Sequence, residues 1–251
     1  MNKLYIDKSW FKTLFPEGFA YPSSTIISGK GGSGKPLVEL AFVAEWIRSG
    51  KSVIGMPLQY PSAEFVHAAL SDLFNMQYDD YASQLAYLNF NPDAQQADRI
   101  DKYNIETNLL EENQWHNAIE MAKSDLNTKD EDIMLFGAAF NLLLFAPRYK
   151  QAILDRVNDM LKDSAPCTVM ISVSTNAMRE DIRRWENTAD NLLYTRMDDN
   201  HQLWLNAERM KHDKYSTGEI NLPISKKEIN SMKDIALHSR NKIIPKLKNI
   251  T

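Results

Sequence analysis

Glycine and lysine recur at fixed spacing in the stretch TIISGKGGSGKPLVEL, residues 25–40. Gly29 is followed five positions later by Gly34 and then by Lys35, the spacing of a phosphate-binding loop. Backbone N–H groups of such a loop face phosphate oxygens, and the positive end of the following helix lies at the same place. Lys35 is expected to reach the terminal phosphates. The predicted contact residues are Gly29, Lys30, Gly31, Gly32, Ser33, Gly34, Lys35, Pro36 and Leu37.

Pro36 stands where this motif normally has a Ser or Thr whose hydroxyl ligates magnesium. Proline suits the first turn of a helix, so the fold of the loop is preserved. It lacks the hydroxyl, however, and it also lacks an N–H that would face the phosphate. The sequence therefore predicts binding of ATP, ADP or only an anion, with Mg²⁺ in doubt. The alternative is a tight glycine-rich turn without a ligand.

The composition and net charge argue against several classes of function. The 251 residues carry a formal net charge of −4, which argues against a surface that attracts nucleic acid everywhere. A single cysteine, Cys167, excludes an internal disulfide and is expected to be buried and inert. The five histidines lack the spacing of metal ligands, so no metal site is predicted from them. Without a long apolar run or signal peptide, we expect a cytoplasmic protein with no membrane partner.

Strand-like and helix-like segments alternate along the chain. Strands are predicted in STIIS, KSVIGM, LAYLNF, DIMLFGAAF, CTVMISVS, NLLYTRM, QLWLNAERM and GEINLPI. Helices are predicted in PLVELAFVAEWIRSG, SAEFVHAALSDLFNM, NQWHNAIEMAKSDL and YKQAILDRVNDMLKD, and a short one within the polar residues 91–112. This alternation predicts one α/β domain over residues 1–224, with a mainly parallel sheet covered on both faces.

The last 27 residues, 225–251, differ in charge, because they contain seven Lys or Arg and only two acidic residues. A partial apolar stripe predicts a tail that is helical or partly disordered. It would be solvated or weakly docked, or it would recognise a partner or nucleic acid. Aromatic residues 10, 11, 15 and 19 precede the first long strand, and they would either pack in the core or dock onto a neighbouring subunit.

From about Leu14 to Ile224, the order and spacing of these segments resemble the RecA-like ATPases of the KaiC group, which are related to the DnaB-type hexameric helicases. The resemblance implies the three-layer RecA-like P-loop fold, a nucleotide cofactor and a homo-oligomer, most simply a hexamer. The segment MPLQYPSAEFV occupies the place of the family's Leu-Glu-Glu-Pro motif. The catalytic glutamates therefore correspond to Gln59 and Tyr60, which are poor general bases.

The family's magnesium-supporting aspartate falls on Gly137, or on Phe136 if the register shifts by one. Ser172 matches the polar sensor position, for which residues 174–176 are substitutes. The family's Lys-x-Arg cations, which reach the nucleotide of the adjacent subunit, correspond to Arg209 and Lys211. Exposed cations that discourage aggregation of an edge strand are the alternative explanation for this pair.

Losses at Pro36, Gln59/Tyr60 and Gly137 together favour a hydrolysis-deficient nucleotide-binding protein. It would act through nucleotide-dependent assembly or contact with a protein partner. Two alternatives stay open. One is an active ATPase that remodels DNA or protein, with a carboxylate displaced to Glu64, Asp98 or Asp190. The other is an interaction module that has kept the fold and lost every ligand.

Overall fold

The structure, a computed structural model, describes residues 1–58, 63–162, 166–223 and 241–250. The strands are β1 Asn2–Leu4, β2 Phe19–Tyr21, β3 Ser24–Gly29, β4 Ser52–Gly55, β5 Leu85–Phe90, β6 Asp98–Arg99, β7 Asn104–Thr107, β8 Ile133–Gly137, β9 Thr168–Ser174, β10 Asn191–Met197, β11 Leu203–Arg209 and β12 Ile220–Leu222. The α-helices are α1 Ser9–Leu14, α2 Lys35–Arg48, α3 Ala63–Phe74, α4 Tyr78–Tyr81, α5 Glu112–Leu126, α6 Lys150–Leu161, α7 Arg179–Thr188 and α8, residues 241–248. Short 3₁₀ turns occupy Ala82–Gln84, Asp130–Asp132 and Phe140–Phe145.

Ten strands form one sheet in the order β12-β11-β10-β3-β9-β8-β4-β5-β7-β6. The strands from β10 to β7 in this order pair in parallel, whereas β12, β11 and β6 are antiparallel additions at the two edges. A ligand site is expected outside the carboxyl ends of the parallel strands. The predicted α/β class with a mainly parallel sheet is confirmed.

Helices cover both faces of the sheet because its central strands are apolar on both sides. β3, β4, β8 and β9 are buried along their whole length. Helices α1, α2 and α3 pack on one face, and α5, α6 and α7 pack on the other. The result is the three-layer architecture that the sequence predicted.

The amino-terminal aromatic residues pack inside this chain. Phe11, Phe15 and Phe19 are each 1% exposed, and Trp10 is 9% exposed. Their rings surround Phe42 of α2, with the Phe19 and Phe42 ring centroids 4.9 Å apart. Such edge-to-face contacts stabilise the segment that precedes β3. Core packing, one of the two expected explanations, therefore accounts for this cluster.

Several parts of the secondary structure differ from the sequence-based prediction, which assigned no element to β1, β2, α1 or α4. The stretch 91–112 forms strands β6 and β7 instead of a short helix, because alternate burial in β7 places Ile105 fully inside the core. Helix α7 was not predicted, since only Ile182 and Trp185 of its ten residues are large and apolar. Both are fully buried, so tertiary packing stabilises a helix whose sequence is otherwise charged.

The end of the basic tail packs against the domain. In α8, Leu247 is fully buried, and Ile243 and Ile244 pack on the same core as α5 and α6. The Lys248 ammonium lies 5.7 Å from the Phe145 ring centroid. Residues 224–240 and 251 lie outside the described part. No helix among the described residues is long and apolar enough to cross a membrane.

Replacing Leu247 with Ala should lower the free energy of unfolding by about 2–5 kcal/mol, because the change opens a cavity in a filled core. Urea denaturation measures this loss. Lys246→Ala changes an exposed neighbour on the same helix and should have little effect. Equal stability of the two variants would contradict the docking of α8.

Candidate functional site

The glycine-rich loop connects the central strand β3 to helix α2. Gly34 has φ of 77°, a left-handed conformation that favours glycine. A Cβ at this position would also lie 2.7 Å from Cδ2 of Leu203. Lys35 is the first helical residue and Pro36 the second. The structure therefore forms the strand, loop and helix expected of a phosphate-binding loop, and Pro36 sits in the first helical turn.

The Lys35 ammonium lies inside this loop. Its Nζ donates hydrogen bonds to the carbonyl oxygens of Gly29 at 3.0 Å and Lys30 at 2.7 Å. The residue is only 5% exposed. A phosphate group that enters the loop would replace these carbonyl oxygens as the hydrogen-bond partner of the Lys35 ammonium.

The loop is also fixed to the two strands beside β3. The Gly31 N–H donates to Oδ1 of Asn176 at 2.9 Å, and the Thr175 N–H donates to the Gly29 carbonyl at 3.0 Å. Ser33 Oγ lies 2.7 Å from Oγ1 of Thr195. The ends of β9 and β10 thus determine the position of the loop.

A cleft of about 720 Å³ opens over the loop, within the size range of small-molecule sites. Its walls come from the loop, the β9–α7 connection, the end of β10 and the turn before β11. It contains two arginines, Arg179 and Arg196, of which Arg196 makes a bidentate ion pair with Glu219. The cleft therefore lies beside the loop, and its lining contains both cations and carboxylates.

The acidic side chains of the cleft are bound to protein groups. Asp198 accepts hydrogen bonds from the Trp204 ring N–H and from the N–H groups of Asn200 and Gln202, each at 2.9 Å. These bonds, the Trp204 bond first, lower the pKa of the Asp198 carboxyl. Glu219 is paired with Arg196. Within the described residues, no group of three or more His, Cys, Asp or Glu side chains is placed to hold a metal ion.

The position of the expected magnesium-supporting aspartate is occupied by Gly137, the last residue of β8. A Cβ at this position would lie 2.5 Å from Cδ2 of Phe140 and 3.2 Å from Cγ2 of Ile171. Phe140 is fully buried, so its ring fills the space that a longer side chain at 137 would need. Phe136, the alternative register, is also fully buried. Neither position offers an oxygen ligand, and Pro36 offers none either, so these residues do not fit Mg²⁺.

A buried carboxyl group lies behind the loop. Glu39, one helical turn after Lys35, is 1% exposed and accepts a hydrogen bond from Ser172 Oγ at 2.9 Å. Ser172 Oγ in turn accepts the Ala139 N–H at 3.1 Å. The second oxygen of Glu39, Oε1, has no hydrogen-bond partner. Burial raises the pKa of the Glu39 carboxyl well above its ordinary value of 4.5, although Ser172 and Lys35 act in the opposite direction.

The expected sensor position, Ser172, therefore contacts Glu39 instead of facing the cleft directly. Of its predicted substitutes, Asn176 contacts the loop and Thr175 lines the cleft, whereas Ser174 is buried against Asn141. Glu39 carried no signal in the sequence, because it lies within an apolar helix and matches no motif.

Arg209 and Lys211 lie at the opposite end of the sheet from the loop of the same chain. Arg209 pairs with Leu192, three residues before Thr195 on β10, which corresponds to roughly 10 Å along the strand. Its guanidinium donates to the carbonyl oxygens of Glu186 and Ala189, and the Lys211 ammonium lies 2.8 Å from Oδ1 of Asp190. Within one chain, both cations stabilise the end of α7 and the start of β10.

The three displaced carboxylates considered above do not meet at the loop. Asp190 is buried at the amino end of β10, where it accepts the Ser24 N–H at 3.0 Å. Asp98 is exposed on the edge strand β6, and Glu64 is exposed in the first turn of α3. Gln59 and Tyr60, the positions aligned with the catalytic glutamates, lie outside the described residues. Cys167 is buried as expected, and burial raises the pKa of its thiol to about 11.

The strand order, the loop before α2 and the cleft over it define a RecA-like P-loop fold. A solved structure of a KaiC-like protein from the hyperthermophilic archaeon Pyrococcus horikoshii OT3 has this same fold, with a TM-score of 0.66 and 15% sequence identity. The likeness covers 89% of this chain and 95% of that one. A scan against protein-family models gives no match, and neither does a search of the curated proteins. The KaiC-like fold suggested by the sequence is confirmed.

Adding a methyl group at position 137 should cost about 1–3 kcal/mol of stability, because it meets the Phe140 ring. Urea denaturation of Gly137→Ala measures this cost. In a Phe140→Leu background the cost should be smaller, since the ring is gone. Additive effects in the double-mutant cycle would contradict the contact.

Glu39→Gln should raise the melting temperature by about a few degrees at pH 8 and by less at pH 5. Because the pKa of Glu39 is raised on folding, the stability that Glu39 contributes is fully present below its ordinary pKa of 4.5 and is lost as pH rises through the folded-state pKa. The neutral amide removes this loss. Glu131→Gln, at an exposed position, is the control and should show no such trend. A difference that shrinks with rising pH would contradict the buried acid.

Proposed function

We propose that this chain is a hydrolysis-deficient nucleotide-binding protein of cytoplasmic location that binds ATP or ADP at the loop of residues 29–37. Nucleotide binding would control its assembly with copies of itself or its contact with a protein partner. The observation that carries the proposal is the intact loop with Lys35 inside it, next to positions where no magnesium ligand fits.

Nucleotide binding is supported by three features that converge on one edge of the sheet. The loop amides and Lys35 would hold the phosphates, as they do in phosphate-binding loops generally. The positive end of α2 lies at the same point. The cleft over the loop offers room for the rest of the nucleotide.

Loss of hydrolysis is supported by the missing oxygen ligands. Transfer of the terminal phosphate normally requires a metal ion to neutralise charge and a group to orient water. Pro36 and Gly137 provide no side-chain oxygen ligand. Asp190 lies at the opposite end of the sheet, and neither Glu64 nor Asp98 is among the residues that line the cleft. These positions argue against the alternative of an active ATPase with a displaced carboxylate.

A role in assembly follows from the resemblance to ring-forming proteins and is a proposal for this chain. A hexamer is the simplest form, and in it Arg209 and Lys211 would face the nucleotide of the adjacent subunit. They would then exchange their present contacts with Ala189 and Asp190 for phosphate oxygens. We also propose that α8 contacts nucleic acid through its exposed lysines, Lys242, Lys246 and Lys248.

A ligand-free scaffold is favoured by one specific observation. Two donors of the loop already have partners in the protein, since the Lys35 ammonium binds two loop carbonyls and the Gly31 N–H binds Asn176. Any nucleotide must replace these bonds. The scaffold hypothesis predicts that no nucleotide changes the stability or the assembly of the protein.

Titration with a fluorescent ATP analogue, in magnesium and in EDTA, tests the proposal. Lys35→Ala should lower the affinity by about a hundredfold, because charge-assisted bonds to phosphate are lost. Lys129→Ala, an exposed lysine near the opposite end of the sheet, should bind like the wild type. Light scattering with and without nucleotide measures assembly, and phosphate release over time measures hydrolysis.

Unchanged affinity in Lys35→Ala would remove the loop from the binding site. Absence of binding in both buffers would favour the ligand-free scaffold. Steady phosphate release that depends on Lys35 would instead establish an active ATPase. Scattering that shows a monomer with and without nucleotide would exclude a trans-acting role for Arg209 and Lys211.

A further inference from the structure

A nucleotide bound in the cleft would bring negative charge that the site must offset. A nucleoside triphosphate brings about four negative charges, and magnesium normally offsets two of them in sites of this type. Here Pro36 and Gly137 supply no magnesium ligand, and the acidic groups of the cleft, Asp198 and Glu219, are bound to protein donors. The positive charge that a triphosphate requires must therefore come largely from side chains.

Most cations near the loop already have a partner, apart from the exposed loop residue Lys30. Lys35 is bound to the carbonyls of Gly29 and Lys30, and Arg196 is bound to Glu219. On helix α7, Arg183 pairs with Glu180 and Arg184 lies 3.5 Å from Asp155. The acidic partners offset the positive charge of Arg183, Arg184 and Arg196, whereas Lys35 keeps its charge because carbonyl oxygens are neutral.

Arg179 differs from these residues. It is the first residue of α7, it is exposed, and it lines the same cleft as loop residues 29–33. Among the described residues it has no ion pair or hydrogen bond through its guanidinium. At the cleft wall, burial and then Glu186 raise the pKa of the Tyr194 phenol, and the charge of Arg179 acts in the opposite direction. Arginine stays protonated at every relevant pH and matches phosphate oxygens with two parallel donors.

The segment that carries Arg179 is fixed to the loop itself. Thr175 donates its N–H to the Gly29 carbonyl, and Asn176 accepts the Gly31 N–H. Two residues after Asn176, Met178 has φ of 56° at the N-cap of α7, and Arg179 follows it. The guanidinium therefore extends from a backbone whose distance to the loop is set by two hydrogen bonds.

We propose that Arg179 binds the phosphate chain of the nucleotide in cis and supplies the positive charge that magnesium supplies in related sites. This inference rests on the proposed nucleotide site and adds to it a metal-independent mode of binding. The ligand class is a nucleoside triphosphate or diphosphate, recognised through its phosphates. The family-derived cations Arg209 and Lys211 are distinct from it, because they lie at the other end of the sheet.

The test is a titration of the full chain with the fluorescent ATP analogue in EDTA and in magnesium. The wild type should bind equally well in both buffers. Arg179→Gln should lower the affinity in EDTA by about tenfold or more, and Arg179→Lys should lose less because it keeps the charge. Arg183→Gln is the matched control, since it removes the same charge from an exposed position one turn further along α7.

Competition with AMP sharpens the result. The loss in Arg179→Gln should be large for the triphosphate analogue and small for AMP, because the terminal phosphates are the proposed partner. Thermal melting of Arg179→Gln should match the wild type, since the side chain is exposed.

The outcomes separate this inference from the proposed function. Loss of binding in Lys35→Ala together with unchanged binding in Arg179→Gln would overturn the role of Arg179 and leave the nucleotide site in place. Equal losses in Arg179→Gln and Arg183→Gln would also overturn it, as an effect of net charge alone. A wild type that requires magnesium would overturn the metal-independent mode. Unchanged binding in Lys35→Ala would reject the proposed site as a whole.

Discussion

The parallel pairing of β3 between β9 and β10 is the constraint on which the site depends. In this register Gly29 lies opposite both Ser174 and Thr195, so three strand ends reach the same edge together. The contacts that the loop makes with the ends of β9 and β10 follow from this alignment. The loop, the β9–α7 connection and the end of β10 then bond to each other over short distances. A shift of one residue in either pairing would turn these side chains to opposite faces of the sheet.

Helix α2 is part of the hydrophobic core and also carries two buried charged residue types, a lysine and a glutamate. Its sequence is apolar along most of its length, so the helix is buried between the sheet and the aromatic residues around Phe42. Burial fixes the helix start, where Lys35 enters the loop. The same burial encloses Glu39, a residue that would be charged on an exposed helix. One helix therefore supplies both the cation of the loop and a buried acid behind it whose pKa is raised.

The main parts of the fold were predictable because they depend on local patterns. The loop motif, the buried β-branched strands and the amphipathic helix α6 each carry a strong signal in a short stretch of sequence. Helix α7 and strands β6 and β7 were missed because distant contacts stabilise them. The site was predicted only in part, for a similar reason. Gly29 to Leu37 form a contiguous motif, whereas Arg179 and Glu39 reach the loop region through the fold and belong to no local pattern.

Phe140 restricts which side chains position 137 can carry. A single change that placed an aspartate at position 137 would set its Cβ against a buried aromatic ring, so the carboxylate would arrive together with a clash. A carboxylate at position 137 also requires a smaller residue at position 140, and that smaller residue alone leaves a cavity in the core. Each path of single steps thus passes through a less stable protein. The core behind the loop therefore disfavours a carboxylate at position 137 through packing alone, whatever ligand the loop binds.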